Sequence, residues 1–402
     1  VGYVQTIGVE ANPDDPRQLS VTGPVAANWP EDGRVVAIVH DDVGLKAQFQ
    51  AELNEFSDKS GDDPRQALRR YKVSSRLCFD DNEHHELTRA RLYSELIPWR
   101  DRVHQLLSRP STTDTEIATL VAQAPALEFR TGTPATGTIP FWLLPLRDSS
   151  VPSESVLASA LDFLSFLMPI EHLPSVGQWS RRPADGVLPS MALLMRSLDT
   201  PRWEDFEAAL RANPSLEHLE VVPRTGFYDS EEDLARALLS PEPVEVVGGT
   251  FSYPDEVCVY AHGTHGTAIG DALTIRFRYS KAPIFAPRQL ELKTWHLLEA
   301  ADLAKNRPAD LPRPLIFLAV CDAAGNIGDS VATVPIQLLR ARCRVIAPRA
   351  PVSAYVATDL LTALHTFLGM GLSAPRALLA ARWKSLLRGD PSSIVFDGFG
   401  LT

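Results

Sequence analysis

Residues 314–320, Pro-Leu-Ile-Phe-Leu-Ala-Val, carry no polar side chain, and the run stops at Cys321. An apolar run this short, rich in bulky side chains, reads as a strand buried on both faces. A second run has the same shape. Residues 256–261, Glu-Val-Cys-Val-Tyr-Ala, lead to His262 and then to Gly263. That pattern predicts a strand delivering a histidine to a glycine turn. Strands of this kind need neighbours at both edges and cover on both faces, which restricts the chain to an α/β architecture.

The remaining pattern is consistent with that. Strands are expected at 18–22, 34–40, 219–222, 244–247, 272–277 and 343–347, with a closing one at 393–396. Leu45, Phe49, Leu53 and Phe56 mark a helix over 44–56, followed by a polar loop at 58–66. Leu87, Leu92, Leu96, Trp99, Val103 and Leu106 mark a long helix over 82–108, with a kink or break expected at Pro98. Further helices are expected at 154–168, from Pro201, from Ser230 to Leu239, and at 294–304, 352–368 and 374–387. Turn-rich sequence at 174–188 suggests a boundary near 190. This gives an N-terminal mixed α/β subdomain over 1–190 and a second subdomain over 191–402. In the second, a largely parallel sheet is flanked by helices on both faces.

Composition excludes several functions. The net charge of −11 disfavours non-specific nucleic-acid binding and docking on an anionic membrane. No apolar run approaches the roughly 20 residues of a membrane span. The cysteines, Cys78, Cys258, Cys321 and Cys343, form neither a disulfide framework nor a CxxC zinc pattern, which fits a reducing, cytoplasmic compartment. The sequence opens on Val1 rather than Met, so its start says nothing about the compartment.

Chemistry is expected where strands end at the carboxyl edge of an α/β sheet. His262 and Cys321 both occupy such positions and lie 59 residues apart. A cysteine with a histidine about 50 residues upstream is the spacing of the caspase-type signature. A thiolate is the nucleophile, and a histidine can assist it and then protonate the leaving amine. The backbone N–H groups of Gly263 and Cys321 could stabilise the tetrahedral oxyanion. His265 is an alternative base further along the loop. Asp322 could line a substrate pocket or cap the next helix. Cys78, Cys258 and Cys343 read as small buried hydrophobes. His40 reads as a strand cap, His84 and His85 as a solvated face, and His296 and His365 as surface or core-edge residues. A metal held by His262, His265 and Cys321 lacks a fourth ligand. Gly263-Thr-His-Gly266 is not a phosphate loop.

At these residues the sequence resembles the CHAT family of bacterial caspase-like cysteine peptidases, relatives of caspases and separase. Tyr260-Ala-His262-Gly263 is similar to the family's strand–His-Gly signature. Leu315 through Cys321 is similar to its strand ending in the nucleophile. Residues 345–356, 374–381 and 394–400 are similar to its last strands and helices, and residues 139–144 to a stretch of its N-terminal half. The resemblance implies a caspase-like fold in which 1–190 is a regulatory, pseudo-caspase part and 191–402 is catalytic. It also implies proteolysis through a thioester and no metal or organic cofactor. Family members serve in regulated proteolysis, including antiviral defence and gasdermin activation. A protein substrate, such as a gasdermin or another defence effector, and an activator protein are therefore the implied partners.

The sequence departs from the family at Ala319-Val320-Cys321, where the family often has Asn-Ala-Cys, so pocket residues do not transfer. A loop holding Pro283, Phe285, Pro287 and Gln289, together with 325–335, is expected to border the substrate groove. A catalytically inactive scaffold and a thiol amidase are the alternative readings.

Overall fold

The structure is a computed structural model. It describes residues 6–12, 14–15, 17–38, 43–57, 63–77, 82–131, 143, 145–146, 155–174, 191–197, 208, 212, 220–224, 229–239, 244–246, 250–252, 254–264, 274–279, 288–293, 295–297, 314–320, 334–335, 338 and 343–400. Over these the protein is mixed α/β, and it divides into two units. The first gathers 1–186 with 363–395 and 401–402, and the second gathers 187–362 with 396–400.

The first unit begins with β1 (Thr6–Ala11), β2 (Gln18–Thr22) and β3 (Val35–Ile38). Helices α1 (Val43–Ser57), α2 (Pro64–Arg76), α3 (Glu83–Leu107) and α4 (Asp114–Val121) follow. Then come β4 (Ala126–Thr131), the short α5 (Val156–Ala160) and α6 (Leu164–Leu167), and β5 (Ile170–Pro174). The sheet order is β3-β2-β1-β4-β5, parallel from β1 through β5 and antiparallel at β2 and β3. Ile7, Val9, Leu19, Val21 and Leu127 are fully buried in it.

Three local expectations change here. Pro64–Gln66 is the first turn of α2, not loop: Asp63 accepts the Arg65 N–H and Pro64 opens the helix. α3 continues through Pro98 without a break. Pro98 and Ser94 lie on an exposed face, so water can take the Ser94 carbonyl that the missing N–H leaves. Leu92, Leu96, Trp99 and Val103 form its buried stripe, while Leu87 is 61% exposed. The expected 154–168 helix is two short helices, because Phe163 leaves the helix to bridge Pro145.

The second unit contains β6 (Met191–Arg196), β7 (Glu220–Arg224), α7 (Glu231–Leu239), β8 (Val244–Val246) and β9 (Thr250–Ser252). β10 (Glu256–Tyr260), β11 (His262–Thr264), β12 (Thr274–Tyr279) and β13 (Arg288–Lys293) come next. In chain order β14 (Leu315–Ala319), β15 (Arg344–Pro348), α8 (Ala354–Gly369), α9 (Ala374–Leu387) and β16 (Phe396–Phe399) follow, of which β14, β15, the start of α8 and β16 lie in the second unit. Residues 363–369 of α8 and the whole of α9 belong to the first unit. The main sheet runs β16-β15-β14-β10-β6-β7 and is parallel except at β16.

β10 and β14 are buried at every position, as their apolar runs require. Each fully buried Val, Leu, Ile or Phe here contributes roughly 1.5–3 kcal/mol relative to exposure. The antiparallel edge is pinned by Arg349, whose Nε donates to Asp397 Oδ2 at 2.9 Å, with both side chains largely buried. Arg349 also lies over the Phe399 ring.

In the first unit α9 buries its donors against α6. Arg382 Nη1 donates to the Ser165 carbonyl at 2.9 Å and Trp383 Nε1 to the Phe166 carbonyl at 2.6 Å. Trp99 Nε1 of α3 donates to the Leu167 carbonyl at 2.7 Å. A four-residue helix cannot satisfy its own last carbonyls, and these three side chains do so from outside. α9 ends through Gly389, whose φ of 73° is the left-handed conformation of a C-terminal cap.

Candidate active site

β10 is the central strand of the second unit, between β14 and β6. Each β10 residue pairs with the β14 residue 59 positions later, from Glu256 opposite Leu315 to Tyr260 opposite Ala319. The register offset therefore equals the spacing of His262 and Cys321. Counted along the chain, each of the two comes two residues after the last registered pair. Cys321 and Asp322 lie outside the described residues, as do His265, His40 and Cys78. Strand order also locates a topological switch. After β6 the chain goes to one side for β7 and to the other for β10, so the reversal lies between β6 and β10. Open α/β sheets bind ligands in the crevice beyond the carboxyl ends at such a point.

His262 does not lead into a glycine turn. The chain stays extended through Gly263 and changes partner, leaving the main sheet at Ala261 and pairing as β11 with β12. His262 stands opposite Arg276, and Arg276 opposite Glu291 of β13. Arg276 Nε and Glu291 Oε1 are 3.6 Å apart. The three-stranded sheet has two different faces, as period-two alternation predicts. Ile275, Phe277, Leu290 and Leu292 are buried on one, while Arg276, Arg278, Gln289 and Lys293 are exposed on the other. His262 belongs to the polar row and is half-buried, as is Gly263. Gln289 is part of β13 rather than of a long loop, whereas Pro283, Phe285 and Pro287 lie outside the described residues.

Ser197, one residue past β6, joins these sheets. Its N–H donates to the Tyr260 carbonyl at 3.0 Å, and its hydroxyl accepts the Arg278 N–H at 2.8 Å. It is 1% exposed. Nothing local in the sequence marks this serine, because its partners lie on strands far along the chain.

The remaining cysteines fit inert roles. Cys258 is buried, its thiol contacts Glu256 Oε1 at 3.5 Å, and burial followed by the Glu256 charge pushes its pKa well up. A thiol held protonated is no nucleophile. Cys343 is buried with its sulfur 3.9 Å from the Leu239 carbonyl. Arg344 shares a cross-strand row with Glu256 at the opposite, amino edge of the sheet. Burial pushes its guanidinium pKa down, against the pull of Glu256 and Asp255.

No family model matches the chain, and no curated protein matches it.

Three other histidines are more buried than expected. His85 is 7% exposed, while its neighbour His84 is on the exposed side of α3. His296 is 6% exposed, accepts the Lys293 N–H at Nδ1 and lies against the Trp295 ring at a tilt of 35°. His365 is 1% exposed in α8. Among the described residues no group of three or more His, Cys, Asp or Glu is arranged to hold a metal, and no helix is long and apolar enough to cross a membrane. A cavity of about 440 Å³ lies in the first unit, between α3 and α4. Its Arg102 is engaged by Gln123 and its Arg109 by Glu116.

Proposed function

We propose that this chain is a caspase-like cysteine endopeptidase of the CHAT type, with Cys321 as nucleophile and His262 as acid and base. One observation carries the reading. β10 and β14 are neighbouring parallel strands, and their register offset equals the spacing of the two residues. Adjacent strands run about 4.8 Å apart, so the backbone two residues before His262 neighbours the backbone two residues before Cys321, which suits an imidazole serving a sulfur. The burial of Cys258 and Cys343 supports the choice of cysteine by removing two competitors.

In this mechanism His262 assists loss of the Cys321 proton, and the sulfur attacks the scissile carbonyl carbon. The N–H groups of Gly263 and Cys321 receive the negative charge on the oxygen. Collapse breaks the C–N bond, and the imidazolium gives its proton to the leaving amine. Water, deprotonated by His262, then hydrolyses the thioester and releases the acid and the thiol. The substrate is a protein segment. Regulated bacterial proteolysis of a gasdermin or another defence effector, under an activator protein, is the setting that the family resemblance suggests. The compartment is the reducing cytoplasm.

A peptide electrophile such as an acyloxymethyl ketone, followed by peptide mass mapping, tests the reading. Labelling at Cys321 that disappears in Cys321→Ala is the expected result. Labelling of no cysteine by a panel of P1 side chains, with candidate activators present, would leave an inactive scaffold as the better description.

A further inference from the structure

We propose that Ser197 is a positioning residue for His262, holding the three-stranded sheet that carries the histidine against the end of the main sheet. The inference rests on the peptidase reading, and it adds a residue that neither the cysteine–histidine spacing nor the family resemblance points to.

The argument starts where the chain changes partner. Up to Tyr260 the strand pairs with β6 and β14, and from His262 it pairs with β12. Only Ala261 separates the two patterns. A strand that changes sheets leaves backbone groups at the corner that need other partners. The Tyr260 carbonyl is taken by the Ser197 N–H. Arg278, two residues beyond the partner of His262 on β12, directs its N–H at the Ser197 hydroxyl instead of at a strand carbonyl. One buried residue thus meets both sides of the corner, its backbone N–H on the main-sheet side and its hydroxyl on the β12 side. It reaches the backbone two residues before His262 and two residues from the residue opposite it. Removing the hydroxyl frees β12, and with it β11, to shift against the main sheet. The imidazole then moves relative to the end of β14. A displacement of about 1 Å between catalytic groups is enough to cost a large factor in rate.

The test uses the full chain and iodoacetamide, with Cys321 alkylation followed by mass spectrometry from pH 5 to 9. Hydrogen exchange of the 274–279 peptide is read in parallel. His262→Ala defines the histidine-dependent part of the pH–rate profile. Ser197→Ala and Ser197→Val should lose that part about tenfold or more and exchange faster at 274–279. Ser197→Thr has the size of the valine variant but keeps the hydroxyl, and it should restore both. A folded variant lacking the hydroxyl, with an unchanged histidine-dependent profile, overturns the proposal. If wild-type Cys321 instead reacts no differently from the His262→Ala protein, the peptidase reading is what fails. The exchange readout at 274–279 still reports whether Ser197 anchors β12.

Discussion

Tyr260 stands opposite Ala319 as the last registered pair between β10 and β14. That pairing turns a 59-residue separation in sequence into one step across a sheet. It also discriminates between the two candidate bases, because His262 follows the pair by two residues and His265 by five. His262→Ala should lower cleavage or electrophile labelling about 10²–10⁴-fold, and His265→Ala should lower it far less. Single-turnover labelling rates of the two variants check this, and the reverse ranking would move the base to His265.

The Arg349–Asp397 pair should dominate the stability of the β15–β16 edge. Asp397 is 2% exposed, and it also accepts the Gly398 N–H. Asp397→Ala leaves a largely buried guanidinium without its carboxylate and should cost about 3–5 kcal/mol. A paired Arg349→Met, Asp397→Leu change should cost much less, since it removes both charges together. Urea unfolding of the single and double variants measures the difference.

Donors from α9 close the end of α6. Trp383→Ala should destabilise the protein by about 3–5 kcal/mol through the cavity it opens. Arg382→Met keeps most of the volume but strands the Ser165 carbonyl, and should cost about 1–3 kcal/mol. Thermal and urea denaturation would show this order, with Trp383→Phe intermediate.

Cys258 gives a pH signature. Its native pKa is raised, so the folded state keeps the thiol proton after an unfolded thiol would lose it. The stability this contributes is fully present below the unfolded thiol pKa of about 8.5 and is lost as pH rises above it. Wild-type stability should therefore fall between about pH 8.5 and 10 more steeply than that of Cys258→Ala. Equal slopes in urea titrations across that range would count against the buried assignment.

The sequence made some of this legible and hid the rest for identifiable reasons. β10 and β14 are legible because strands buried on both faces are near-continuous apolar runs, from which β10 departs only at the buried Glu256. α9 was readable from Ser373, Pro375 and a long apolar pattern between turns. α2 is hard to read because its charged face dominates the composition, although Asp63-Pro64 is a recognisable helix start. The split at Phe163 depends on Pro145, 18 residues away, which local periodicity does not encode. At the site, the cysteine–histidine spacing could be read but the register that gives it meaning could not. Ser197 had no local signal because its role exists only where β6, β10 and β12 meet.

The return of α9 to the first unit has a consequence during synthesis. The strands β1 to β5 emerge from the ribosome early, but Arg382 and Trp383 arrive roughly 200 residues after β5. At about 5–20 residues per second that interval is ~10–40 s. Throughout it the nascent chain holds the Ser165 and Phe166 carbonyls without the donors that complete them. The unit whose strands are translated first therefore closes only after β6 to β15 of the second unit have been made.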